Sequence, residues 1–419
     1  MNPVQQAEQM NSERVATHPN DQSAQSQDKA QTVFECVRTD ARFEQLAEPW
    51  QLLEAKSATD FAFFQSFAWC SQWWRTVGAR NKDASLNIMT LWQADKLVAV
   101  WPLMTDILPF GARGLLPLTS PHAEYSNLIF DPKAIDQATL QQFVDDALSQ
   151  FDGDLISLPN LPTGSALHGA VQHHGTPASK QEIASYSDLS QYEDFEQYQS
   201  TLSKSKRRNR NKRKNKLARM GDLSYQTFFA DTPEFAGLVN VALEMKRDWL
   251  KRSGRNDAKL MVDGLAQCIG GVAGNSQTKS GAVAGALMLD GKPVALEIGF
   301  LQNGHYYSYI GAFDWGMHEY SVGKVQIEEA LKWAIEVGAR KYDLLAEPAG
   351  YKDAWSNNQL PLQTRTIARS ARGYIVGIIW QLHMRPFAKS IFNQLPSDWR
   401  LKVLQVVRTL RGHGNNKAS

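Results

Sequence analysis

Between Gly281 and Ala312 the chain spells out three successive strands together with both of their turns, and no other stretch restricts the fold as much. Residues 282–289 turn at Asp290-Gly291 into 293–301, which turn at Asn303-Gly304 into 305–312. Asp-Gly and Asn-Gly supply the positive φ that two-residue hairpin turns demand, so the segment reads as an antiparallel meander. A strongly periodic helix over 322–337 follows and stops at Gly338, and 341–345 reads as one more strand. A meander, a crossing helix and a further strand call for a mixed sheet with helices on its faces.

The first half of the chain carries a similar series. Residues 32–37 read as a strand, and 41–55 and 64–77 as helices, the second ending at Gly78 in the position helix ends favour. Residues 86–92 and 97–104 form a hairpin around Gln93-Ala94-Asp95-Lys96; 126–130 and 155–158 are short strands and 137–148 a helix. The run from Leu91 to Ala99 can be laid beside Leu287 to Ala295, each a strand, a turn and a strand entering Val-Ala. Chance likeness and true duplication both stay open; a duplication would give two α/β modules facing each other across a cleft. A loop rich in Pro, Gly and His (159–177) and an acidic stretch to Glu196 separate the halves. The second half opens with a strand at 223–229, a helix from Thr232 and Glu234 through Trp249, and helical spacing over 258–270. Amphipathic helices are expected over 374–410.

Composition removes several classes. Of the 419 residues 43% are hydrophobic and 21% charged, enough to bury a core. Cys36, Cys70 and Cys268 are far apart with no CxxC, which argues against a disulfide framework and a cysteine zinc site. The adjacent His173 and His174 point apart, and no HExxH or GxSxG spacing occurs, so no metal is expected. The most apolar run, 373–384, lies between Arg372 and Arg385 and falls short of the roughly 20 residues a membrane span needs. With no signal pattern at the start, a cytoplasmic protein is expected. Residues 1–31 are polar and without aromatics, a disordered tail by composition.

Three places could carry chemistry. In the middle strand Val294, Leu296, Ile298 and Phe300 alternate with Ala295, Glu297 and Gly299. Glu297 between small neighbours is either part of a solvated sheet face or a general base on a floor under a ligand. Ser321-Val322-Gly323-Lys324 opens the long helix; it is either a plain capped start or a pyrophosphate site made of free backbone amides. Tyr342-Asp343 in a strand, followed by Tyr351-Lys352 and Trp355, lies where α/β sheets collect their sites, or else is a surface turn. A fourth feature is the segment from Lys204 to Arg219, with ten Lys or Arg and no acid, against an acidic remainder. Lys204, Arg208, Lys212 and Lys216 would stack at i, i+4 and repel. It is a solvated connector or a binder of an anionic acceptor; nucleic acid ranks behind both, because no aromatic residues interleave the charges.

The ordered series resembles the GNAT acyltransferase superfamily, and within it the CelD-like acetyltransferases of cellulose and exopolysaccharide biosynthesis, which are similar in turn to Fem-type peptidyltransferases. The residues that carry the resemblance are Gly291-Lys292-Pro293-Val294-Ala295, Tyr306 to Tyr309, Gly311, Asp314, Ser321-x-Gly323, Tyr342-Asp343 and Tyr351-Lys352-x-x-Trp355, with Phe64-Gln65-Ser66-x-x-Trp69 and the basic helix upstream. It covers about residues 40 to 370, and departs where Ala346-Glu347-Pro348 stand in place of an early Gly. The resemblance implies two GNAT-like lobes, mixed sheets flanked by helices, at 32–197 and 222–370. A basic helical connector (198–221) would join them, and a C-terminal helical extension (371–419) would follow. It implies an acyl-CoA donor, acetyl or longer, with Tyr309, Gly311, Ser321, Val322, Gly323 and Lys324 holding the coenzyme. Glu297, Tyr351 and Lys352 would be catalytic, and Asp343, Trp355, Arg208 and Lys212 would meet the acceptor. The activity implied is N- or O-acyl transfer to a sugar, nucleotide-sugar or surface-polysaccharide precursor. The alternative is a tRNA-dependent Fem-type transferase or a nucleic-acid-binding protein using helix 204–219.

Overall fold

The computed structural model describes residues 32–57, 59–255, 257–346 and 350–384. The polar tail 1–31, the helical segment expected over 385–410, and Glu347-Pro348 lie outside the described residues. The first half contains β1 (Thr32–Val37), α1 (Asp40–Gln45), α2 (Ala47–Lys56), α3 (Phe67–Thr76), β2 (Ser85–Gln93), β3 (Lys96–Leu108) and β4 (Ala112–Pro117). Next come β5 (Ile129–Phe130), α4 (Gln137–Ser149), β6 (Leu155–Pro162), α5 (Ala166–Val171), β7 (Thr176–Pro177), β8 (Glu182–Asp188) and α6 (Phe195–Thr201). The second half runs α7 (Lys204–Ala218), β9 (Leu223–Phe229), α8 (Phe235–Arg252), α9 (Leu265–Gly271), β10 (Gly274–Asn275), β11 (Ser280–Leu289), β12 (Lys292–Gln302) and β13 (His305–Phe313). It closes with α10 (Val322–Glu336), β14 (Lys341–Asp343), β15 (Asn358–Ala368), α11 (Ala371–Gly373) and a wide π-type helix, Tyr374–Met384.

One topology is written twice. In each half an antiparallel meander (β2-β3-β4; β11-β12-β13) is followed by a helix (α4; α10) and a parallel strand beside the last of the three (β6; β14). The hairpin likeness seen in sequence extends to a defect: register shifts fall between Leu91 and Trp92 in one copy and between Leu287 and Met288 in the other. These are the positions that the sequence comparison superimposes. The turns have the conformations their residues favour, with Asp290 and Gly291 at φ 49° and 74° and Asn303 and Gly304 at 51° and 74°.

The halves then trade strands. β8 leaves the first half to pair with β14, β15 leaves the second to pair with β6, and β8 and β15 pair with each other. The result is one continuous sheet, β1-β2-β3-β4-β6-β15-β8-β14-β13-β12-β11-β10. Neither β8 nor β15 was expected, and β4 extends a hairpin expected to end at residue 104. The helix expected over 41–55 is two helices that meet at Leu46, and Gly78 does not close α3 in a left-handed turn. It begins a 3-10 turn, and a Cβ there would stand 2.4 Å from the Trp74 ring.

A single aromatic-rich core joins the halves on one face of the sheet. Phe63 stacks on Phe300 with ring centroids 4.3 Å apart, and Trp69 sits edge-on to Phe300 and Tyr309. On the other face α10 covers Tyr306, Tyr342 and Val283, while α4 and α5 cover Trp101, Leu103 and Ile156.

Glu54 adds a polar clamp between the halves. Its carboxyl accepts from the Phe67 amide at 2.7 Å and from the Gln302 side chain at 3.4 Å, and burial pushes its pKa up to about 7. The fold therefore prefers the protonated form. That stabilisation is complete below about pH 4.5 and is lost as pH rises through 7, about 3 kcal/mol over the window. Melting curves should show this loss in the wild type and a flattened profile in Glu54→Gln. An equal slope in both would assign the effect to another group.

Candidate active site

Strand β13 is paired on both sides only at its start. β14 matches it over His305–Tyr307 against Lys341–Asp343; beyond that β13 continues while the neighbouring chain turns off through Leu345 at φ 63°. On its other side Gly299 pairs with Ser308 and Ile298 with Ile310, so Tyr309 is an extra, bulged residue. The parallel strands thus diverge and leave a groove along Ser308–Ala312. Its floor is open at Gly311, which is exposed and where a Cβ would meet nothing within 4 Å. Lys246 from α8 donates to the Gly311 carbonyl at 3.0 Å.

The groove leads to the start of α10. Ser321 was expected to cap this helix with its hydroxyl, and it does not: it is left-handed (φ 58°, ψ 35°), and its carbonyl receives the amides of Lys324 and Val325. The amides of Val322 and Gly323 have no protein acceptor among the described residues. They are first-turn donors at the positive end of a 15-residue helix, the arrangement that attracts an anion.

The basic segment is a helix, and one side of it is docked. Ser203 caps α7, Leu217 is buried with Val322 and Val325, and Lys214 pairs with Glu329. The Arg210 guanidinium lies 3.9 Å over the Trp355 ring and donates to the Ala354 carbonyl, with Glu328 also 3.9 Å away. Lys216 stands over Tyr320 at 4.3 Å, which brings cationic charge to the start of α10. Arg208 and Lys212 are exposed on the outer side of the helix.

Glu297 lies among the tyrosines that α10 covers and is also bonded to Ser308, where the groove begins. It is buried, accepts from Tyr306 at 2.9 Å and Tyr342 at 2.8 Å, and burial pushes its pKa up. The small residues around it make room for phenols: a Cβ at Gly299 would be 2.3 Å from the Tyr306 hydroxyl, and one at Gly285 2.2 Å from that of Tyr225. Asp343 is fully enclosed, accepting from Tyr125 (2.8 Å), His305 (3.0 Å) and the Leu345 amide (2.8 Å). Lys352 is buried and donates to the carbonyls of Leu345 and Ala346, so it holds the diverging wall of the groove. Tyr351 is exposed beside it, and Trp355 is buried beneath Arg210.

The first half supplies polar groups that sequence reasoning missed. The bulged Tyr309 donates to the His122 carbonyl at 3.3 Å, and Glu124, two residues on, pairs with Lys259 at 3.3 Å. His122 is neutral: burial lowers its pKa to about 4. Its Nδ1 accepts from Trp73, so Nε2 carries the proton and donates to the Lys259 carbonyl. No periodicity or motif marks these residues; only the pairing of the two halves brings them to Tyr309. Among the described residues no group of three or more His, Cys, Asp or Glu could hold a metal ion.

Residues 204–353 match the acetyltransferase (GNAT) domain family, a span from the basic helix through the groove to Lys352. No curated protein matches the chain in sequence. Among solved structures, FemX aligns over 82% of this chain and 99% of its own, at 10% identity and a TM-score of 0.56. The C-terminal domain of a protein designated a lysylphosphatidylglycerol synthetase, from Agrobacterium fabrum, aligns over 80% and 94%, at 12% identity and a TM-score of 0.51. The fold is a pair of GNAT-like lobes, and through the GNAT acetyltransferase domain at residues 204–353 the protein is an acyltransferase.

Proposed function

We propose that the protein transfers an acyl group from acyl-CoA to an amine or hydroxyl of a sugar, nucleotide-sugar or surface-polysaccharide precursor, in the cytoplasm. The observation that carries the donor half is the groove itself: strands that diverge after Tyr307 and end on the unpaired amides of Val322 and Gly323. These residues fit coenzyme A, whose thioester supplies the acyl group. Val322, Gly323 and the nearby cations of Lys324 and Lys216 suit its phosphates, and the open edge of β13 from Tyr309 past Gly311 suits an amide-bearing arm. Tyr351 and Lys352 shape the reacting end, the latter by fixing two wall carbonyls. Glu297 keeps β12, β13 and β14 in register through its phenol bonds.

Acyl transfer also needs a proton acceptor for the attacking group. Glu124 of the other lobe is the candidate: its carboxylate pairs with Lys259 at 3.3 Å, two residues from the His122 carbonyl that the bulged Tyr309 meets. An acceptor phosphate or sugar would enter between the lobes, with Asp343 and Trp355 supporting the wall and Arg208 and Lys212 drawing anionic acceptors in from outside. Acetyl-CoA and longer acyl-CoAs, each at 100 times its dissociation constant, should raise stability by about 2.7 kcal/mol. No melting shift with any acyl-CoA ends this reading.

One observation favours a second reading, a tRNA-dependent Fem-type transferase or nucleic-acid binder: Lys204, Lys206, Arg208 and Lys212 are all exposed on α7. An RNA affinity that falls with salt at a slope of about −0.7 per neutralised phosphate would select it.

A further inference from the structure

The π-type helix Tyr374–Met384 presents an apolar stripe that acyl transfer does not use. Its inner side packs Val376 and Gly377 on Ala112, Leu155 and Thr366. Its outer side leaves Tyr374, Ile375, Ile379 and Met384 exposed at 54%, 52%, 40% and 52%. The turn between β3 and β4, distant in sequence, comes to the same place: Phe110 is 70% exposed and meets the Trp380 ring edge-on at 6.2 Å. From Gly373 to Met384 there is no Asp, Glu, Lys or Arg.

The rim carries two exposed arginines, each facing a carboxylate: Arg372 lies 4.0 Å from Asp154 and Arg113 2.8 Å from Asp152. Arg372, mostly exposed, donates to the Gly111 carbonyl beside Phe110, and Arg113 is half exposed on the same turn. The acids nearby are engaged, Asp152 by Arg113 and Asp154 by Ser370 and the Arg113 amide. After Met384 the sequence carries seven Lys or Arg against the single acid Asp398. Among the described residues no helix is long and apolar enough to cross a membrane.

We propose that this face binds an anionic lipid surface, with the helix lying in the headgroup layer and Phe110 inserted beside it. An apolar helical stripe whose sequence continues into a segment with seven Lys or Arg and one acid suits the boundary between acyl chains and anionic headgroups. Two elements from opposite halves of the chain expose aromatic and aliphatic side chains side by side, joined by the Phe110–Trp380 contact. A protein partner would need negative charge of its own to match the net positive segment after Met384; phosphate headgroups supply it in any orientation.

The test is co-sedimentation of the full chain with phosphatidylcholine vesicles and with phosphatidylcholine vesicles containing phosphatidylglycerol, at low and high salt. Binding to the anionic vesicles should exceed binding to the neutral ones by about tenfold and weaken with salt. Ile375→Ser with Ile379→Ser should lower it about tenfold, with the acyl-CoA melting shift unchanged. If that double variant melts early, Phe110→Asn decides, because Phe110 sits at φ 62° in an exposed turn that Asn accepts. A wild type that binds neither vesicle, as when residues 385–419 cover the face, overturns the proposal. So does undiminished binding by the folded variants.

Discussion

Asp343→Ala is expected to destabilise the protein by about 3–5 kcal/mol, read as a fall in the denaturation midpoint. The carboxylate is fully buried and joins three parts of the molecule: Tyr125 from the first half, His305 at the start of β13, and the Leu345 amide where the wall of the groove turns away. Alanine would leave a phenol, an imidazole and an amide buried without an acceptor, each of which costs about 1–3 kcal/mol. Asp343→Asn keeps one acceptor oxygen and should cost less. In a double-mutant cycle with Tyr125→Phe the two changes should be non-additive by about 1 kcal/mol, because the partners are in contact. A change within about 0.5 kcal/mol for Asp343→Ala would mean that this clamp does not hold the lobes together.

How much of this could be read from sequence depended on whether the determining forces were local. β11, β12 and β13 were legible because Asp290-Gly291 and Asn303-Gly304 fix their own turns. β8 and β15 were not, because their partners come from the opposite half and their faces carry no apolar alternation. Ser185 and Ser187 are buried in β8, and Pro361 and Arg365 interrupt β15. Tyr309 and Gly311 entered only through the family resemblance, whereas the start of α10 at Val322 and Gly323 was legible as a candidate from a strand meander followed by a helix start. Glu124 and Lys259 were not, since only the docking of one lobe on the other brings them beside Tyr309. Ser321 shows a local rule failing: serine favours the capping conformation, yet here the 3-10 turn Trp315–Tyr320 delivers the chain in a left-handed geometry that turns the hydroxyl from that task.

Gly323→Glu is expected to raise the KM for acyl-CoA about a hundredfold, or about 2.7 kcal/mol, while leaving the fold intact. The reasoning separates two effects of one carboxylate. On the helix alone Glu is welcome, because a first-turn acid complements the positive end of the dipole. The added Cβ would sit 3.4 Å from the Phe313 ring, an ordinary contact, and Gly323 is not among the glycines with positive φ. Melting should therefore shift by no more than about 0.5 kcal/mol. Toward a bound pyrophosphate the same carboxylate is a like charge beside the amides of Val322 and Gly323, where repulsion of several kcal/mol is usual. Gly323→Ala serves as the control: it adds the Cβ without the charge and should change KM by only a few fold. Gly323→Glu with an unaltered KM and a normal melting curve would remove the start of α10 from the donor site, and the phosphates would have to be sought along the outer side of α7.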